Sequence, residues 1–81
     1  MAVEVKSRLR TEHVDDHVRR MEILRSYLNE REDTRKLPGA VAGAIVPPDV
    51  RNYVLKKGFY LIEQSGDTVK ITAPGLKPRV W

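Results

Sequence analysis

The sequence predicts a single small α/β domain with the order β-α-β-α-β-β, and three features predict it. Polarity alternates with a period of two over residues 3–10, and apolar side chains recur every three or four positions over residues 12–30. Beyond residue 38 the apolar runs are cut into strand and helix lengths by Pro47, Pro48 and Gly58. At 81 residues and 41% hydrophobic content the chain can build one core, and no repeat or linker composition divides it.

The first strand is expected over residues 3–10. Val3, Val5 and Leu9 fall on one side, where burial is expected, and Glu4, Lys6, Arg8 and Arg10 fall on the other. Thr11 then serves as N-cap for a helix over 12–30, whose early acids Glu12, Asp15 and Asp16 complement the helix dipole. Val14, Val18, Met21, Leu24 and Leu28 form its apolar stripe, and Ile23 and Tyr27 are expected to widen that face. The polar run from Asn29 to Lys36 ends the stripe, so the helix frays into a loop there.

Residues 39–46 are apolar without alternation, which predicts a strand buried on both faces, with small side chains that let a helix approach closely. Pro48 opens a second helix over 48–57, with Val50, Tyr53 and Val54 inward, Lys56 and Lys57 at its C-terminal end and Gly58 as left-handed cap. A hairpin over 59–72 turns at Ser65-Gly66-Asp67 and puts Val69 and Ile71 on one face. The tail, 73–81, is irregular, with Trp81 docked on the domain. Two strand–helix crossovers make the first three strands parallel, and the hairpin adds the fourth antiparallel.

Composition narrows the function classes. With no cysteine, neither a disulfide nor a thiolate metal site is available. No apolar leader is present and no run approaches the roughly 18 residues of a membrane span, so a soluble, cytoplasmic protein without a membrane partner is expected. The net charge is +4, and Lys6, Arg8, Arg10, Arg19, Arg20 and Arg25 crowd the first third. Arg8, Arg10, Arg19 and Arg20 are the candidate contacts to DNA phosphates, with affinity expected to fall steeply with salt. The interleaved Glu12, Asp15, Asp16 and Glu22 read equally well as half of a mixed, solvated face.

Few residue patterns carry chemistry. Glu4 and Lys6 lie two apart on one strand face, about 6–7 Å along it, where a carboxylate can ligate Mg²⁺ and an ammonium can stand near an attacking water. His13 and His17 are spaced four apart on a helix, as a Zn²⁺ chelate requires, without a third ligand beyond Asp16 or Glu12. Gly39 and Gly43 lack the G-x-G-x-x-G pattern, and no serine sits in G-x-S-x-G. The aromatics Tyr27, Tyr53, Phe59 and Tyr60 fall mostly on core faces.

An E-x-K strand, a long amphipathic helix, a small-residue strand, a short helix and a strand starting at Gly58-Phe59-Tyr60 together resemble the later half of the PD-(D/E)XK nuclease superfamily. More closely, the chain is similar to bacterial nuclease-like proteins in which VEVKSRL and EHVDDHVRRME are followed by GAVAGAIVPPDVRNYVLKKGFYLIEQSGDTVKI. The likeness runs from Val3 to about Ile71. The resemblance implies a restriction-endonuclease-like core with a mixed sheet, truncated before the E-x-K strand. Glu4 would then be the second carboxylate of a Mg²⁺ or Mn²⁺ site and Lys6 the catalytic lysine. The family's first helix, early strands and first metal-ligating Asp would precede Val3, so an incomplete or inactive phosphodiesterase scaffold is implied. A strand interior to that fold would here be an edge. Two copies are therefore expected to pair through Val3–Leu9 as a homodimer, which could bring a second Glu4 in trans. The alternative is a non-enzymatic interaction or assembly module that uses the same open edge.

Overall fold

Four strands leave the chain in the order in which they lie in the sheet: β1 (Ala2–Arg8), β2 (Gly39–Ile45), β3 (Tyr60–Ser65) and β4 (Thr68–Thr72). The computed structural model describes residues 1–75 and 78–81. β1 and β2 pair in parallel, as do β2 and β3, while β3 and β4 are antiparallel. The mixed sheet and the element order are those expected from the sequence. The hairpin turns through Gly66 at φ 60°, and the Thr68 hydroxyl donates to Ser65 O at 3.0 Å.

Each crossover steps one strand further in the same direction, and right-handed connections then put both helices on one face of the sheet. α1 (Thr11–Glu30) and α2 (Pro48–Lys56) lie side by side there, tied by the Tyr53 hydroxyl, which donates to Asp15. Between helices and sheet sit Leu9, Val14, Met21, Val41, Val50, Val54, Phe59 and Leu61. Burial of each large side chain contributes about 1.5–3 kcal/mol.

The other face has no helix over it, which corrects two expectations. The register places Val3, Ala40 and Tyr60 in one row of that face and Val5, Ala42, Ile62 and Ile71 in the next, with Gln64 beside Val69 beyond. Val5 is 70% exposed and Ile71 66%. The valines of β1 thus face solvent, and its helix-facing side is that of Ala2, Glu4 and Lys6. β2 is buried on both sides only at its start: on the uncovered face Ala40 is buried, but Ala42 is half-buried and Ala44 exposed. Strand alternation groups side chains into two sets but does not state which set the crossovers will cover.

Four helix ends shape the rest. Arg10, not Thr11, is the N-cap of α1, and its N–H is accepted by His13 Nδ1 at 3.1 Å. The far end of α1 stops sharply instead of fraying. Asp33 N–H donates to Leu28 O at 2.8 Å and Glu32 N–H to Asn29 O at 3.0 Å, with Glu32 left-handed at φ 59°. These are the paired bonds of a Schellman stop. Ile23 and Tyr27 do not widen the buried stripe but are exposed. α2 begins at Pro48, as expected, and Gly58 caps it at φ 87°.

The tail returns to the core, as expected of Trp81. Trp81 N–H donates to Leu37 O at 2.9 Å and Leu37 N–H to Trp81 O at 2.7 Å. Its indole stacks on Phe59 at 5.0 Å, and Phe59 stacks on His17 at 5.0 Å, making a three-ring column. No described helix is long and apolar enough to cross a membrane.

Candidate functional site

Glu4 and Lys6 project from the helix-facing side of β1, as their spacing requires. The Glu4 side chain is 17% exposed and accepts from the guanidinium of Arg20 on α1, while Lys6 Nζ stands 3.6 Å from its Oε1. The carboxylate therefore joins an edge strand to the helix above it. Mg²⁺ takes six oxygen ligands, several of them held by carboxylates or waters. Here one carboxylate lies between two cations, so the residues at Glu4 do not fit the Mg²⁺ or Mn²⁺ that the resemblance implies. Among the described residues no group of three or more His, Cys, Asp or Glu side chains converges.

A second carboxylate sits on the same side of the sheet. Glu63 of β3 shares a row with Gly43 and Lys70, one strand removed from Lys6. Arg51 of α2 donates to it twice, at 3.1 and 2.7 Å, and this hydrogen bonding holds the Glu63 carboxyl below its ordinary range. Two strand spacings, about 9.6 Å, separate β1 from β3, so Glu63 does not close on Lys6. The Arg51–Glu63 pair is absent from the sequence reading because residues on a helix and a strand twelve apart meet only after the crossover forms.

The four candidate arginines do not form one patch. Arg8 and Arg10 border a shallow depression of about 300 Å³ with Thr11, Pro47 and Asp49, at the carboxyl end of β1 and the starts of both helices. Arg10 also stands 3.6 Å from Glu12. Arg19 and Arg20 lie on α1 about 14 Å further along, at 1.5 Å per residue. Arg19 is paired with Asp16 and Arg20 with Glu4.

The histidine pair does not meet as a chelate. His13 Nδ1 accepts the cap N–H, whereas His17 is buried against Phe59 with its Nε2 3.2 Å from Ala2 O. Facing a carbonyl oxygen, that nitrogen must carry the hydrogen.

The uncovered sheet face is the feature sequence reasoning missed. Ala42 and Ala44 floor a trough of about 410 Å³ whose walls are Val5 and Ser7 on one side and Ile62 and Gln64 on the other. The walls stand on strands about 9.6 Å apart. Val69 closes one end, and Lys6, Gly43 and Glu63 also border the trough, although the register assigns the Lys6 and Glu63 side chains to the helix-covered face. The available signal was the polarity of β4, where Val69 and Ile71 alternate with Thr68, Lys70 and Thr72. No protein-family model, curated protein or solved structure matches this chain.

Proposed function

We propose that this chain is a non-enzymatic interaction module of the cytoplasm, which associates through its uncovered sheet and the free edge of β1. The observation that carries this reading is the bare apolar face, where Val5 and Ile71 are each about two-thirds exposed. Parallel strands are ordinarily covered on both faces, and contiguous exposed apolar surface marks sites of association. The phosphodiesterase reading rests on resemblance, and the cations around Glu4 count against it.

The test has two arms. Sedimentation is expected to show association that rises with concentration and weakens in V5K or I71K. Supercoiled and single-stranded DNA incubated with Mg²⁺ or Mn²⁺ is expected to stay intact. Metal-dependent cleavage lost in both E4A and K6A would overturn the reading in favour of a hydrolase.

A second reading, binding of DNA phosphates, draws support from Arg8 and Arg10, both exposed at the depression beside the two helix starts. Titration of labelled DNA at several salt concentrations tests it. Binding that falls steeply with salt and is lost in R8A/R10A is the expected result.

A further inference from the structure

The free edge of β1 has a directional pattern, and what it implies rests on the interaction-module reading and sharpens it. Ala2 donates its N–H to Pro38 O at 3.2 Å, toward β2. Backbone groups alternate along a strand, so Val3, Val5 and Ser7 turn their N–H and C=O groups to the opposite side. Among the described residues β1 pairs with β2 alone, and no strand lies on that side. An exposed ladder of this kind is a template for another strand.

The charge pattern of β1 selects the strand. A two-fold axis normal to the sheet would pair β1 with its own copy antiparallel, and helix-facing side chains would meet helix-facing side chains. On that side β1 presents Ala2, Glu4, Lys6 and Arg8. With Glu4 on the axis, two carboxylates would oppose each other, and with Lys6 on it, two ammonium groups. With Ser7 on the axis, Lys6 would face the partner's Arg8. With Val3 there, Glu4 would face the partner's Ala2 and Lys6 would overhang the end. Only with Val5 on the axis does Glu4 face the partner's Lys6, while Lys6 faces the partner's Glu4. That is also the register in which all seven residues of β1 overlap.

We infer that a second copy of this chain pairs antiparallel along β1, with Val5 on the two-fold axis and Glu4 opposite the partner's Lys6. Val3, Val5 and Ser7 then exchange backbone hydrogen bonds with the partner's Ser7, Val5 and Val3. Glu4 keeps Arg20 above it and gains a cation across the seam, so the charges alternate.

The chain contains no cysteine, so single cysteines report the register cleanly. In a hydrogen-bonded antiparallel pair, directly opposed Cα atoms are about 5.5 Å apart, within disulfide range. Under mild oxidation V5C is expected to form a disulfide dimer. S7C, displaced by four residues or about 14 Å from its own copy, is expected to react at least about tenfold more slowly. By sedimentation, E4K and K6E should each weaken association about tenfold, and the swap E4K/K6E should restore it. V5P removes only an outward N–H and should be monomeric with an unchanged far-UV spectrum.

Equal reaction of V5C and S7C would overturn the inference, as would a single-chain mass at millimolar concentration. Association that survives V5P but is lost in I71K would remove edge pairing and leave the interaction module standing. Cleavage of DNA that depends on Glu4 would remove the interaction-module reading on which this inference rests.

Discussion

Arg51 of α2 holds Glu63 of β3 by two parallel hydrogen bonds, fixing the short helix to the third strand. The pair raises the Arg51 pKa and lowers that of Glu63 from its ordinary 4.5. A carboxyl with a lowered folded value binds its proton less readily than in the unfolded chain. Its contribution is therefore complete above pH 4.5 and lost as pH falls through the lowered value. Arg51 is partly exposed and screened, so R51A is expected to lower stability modestly at pH 7. Denaturant unfolding at pH 7 and at pH 3 checks this, with the gap between wild type and R51A narrowing in acid.

Asp33 is also held low. The Arg35 side chain and then its backbone N–H hydrogen-bond the carboxyl and bring its pKa from 3.8 to about 2. Stability linked to this group is complete above pH 3.8 and is lost as pH falls through about 2. Carboxyl chemical shifts followed by NMR should show a midpoint near 2, and R35A should return it toward the ordinary range. A wild-type midpoint near 4 would contradict the pairing.

Glu32 occupies a left-handed position, at φ 59°, that costs any side chain about 1–2 kcal/mol. Glu32→Gly keeps both bonds of the helix stop and relieves that cost. A gain of about 1 kcal/mol, or a rise of about 4–8 °C in melting temperature, is expected. No gain would mean that the strain is offset by the loop that follows.

Trp81 is the outer ring of the column built on His17 and Phe59. W81A leaves a cavity above Phe59 and should cost about 3–5 kcal/mol, a large part of what a domain of this size possesses. Thermal unfolding with near-UV detection should show a fall of more than about 12 °C. Gly39→Ala probes the same column from below, because a Cβ there would come within 2.6 Å of Phe59 Cε1.

The order of elements was legible because periodicity and punctuation are local. Val14, Met21 and their neighbours announce α1 by spacing alone, and Pro48 and Gly58 bound α2 by backbone chemistry that needs no partner. What stayed hidden depends on contacts across the sheet. Val3 and Val5 looked like core because alternation cannot reveal which side the helices take. The pairing of Glu4 with Arg20, sixteen residues on, was hidden because the two become neighbours only once α1 lies over β1. The roles of His13 and Glu32 at the two ends of α1 went unread for a smaller reason. Helix caps tolerate several residue types, and neither is a usual signal for its position.

The bare sheet face also gives this molecule a thermal sense. Water over Val5, Ile62 and Ile71 is ordered against apolar surface, and a partner that settles there releases it. Such a union carries a negative heat capacity and loosens in the cold, whereas strand pairing at the β1 edge draws on backbone hydrogen bonds. Chilling would therefore act unequally on the two surfaces through which we propose that this small domain associates.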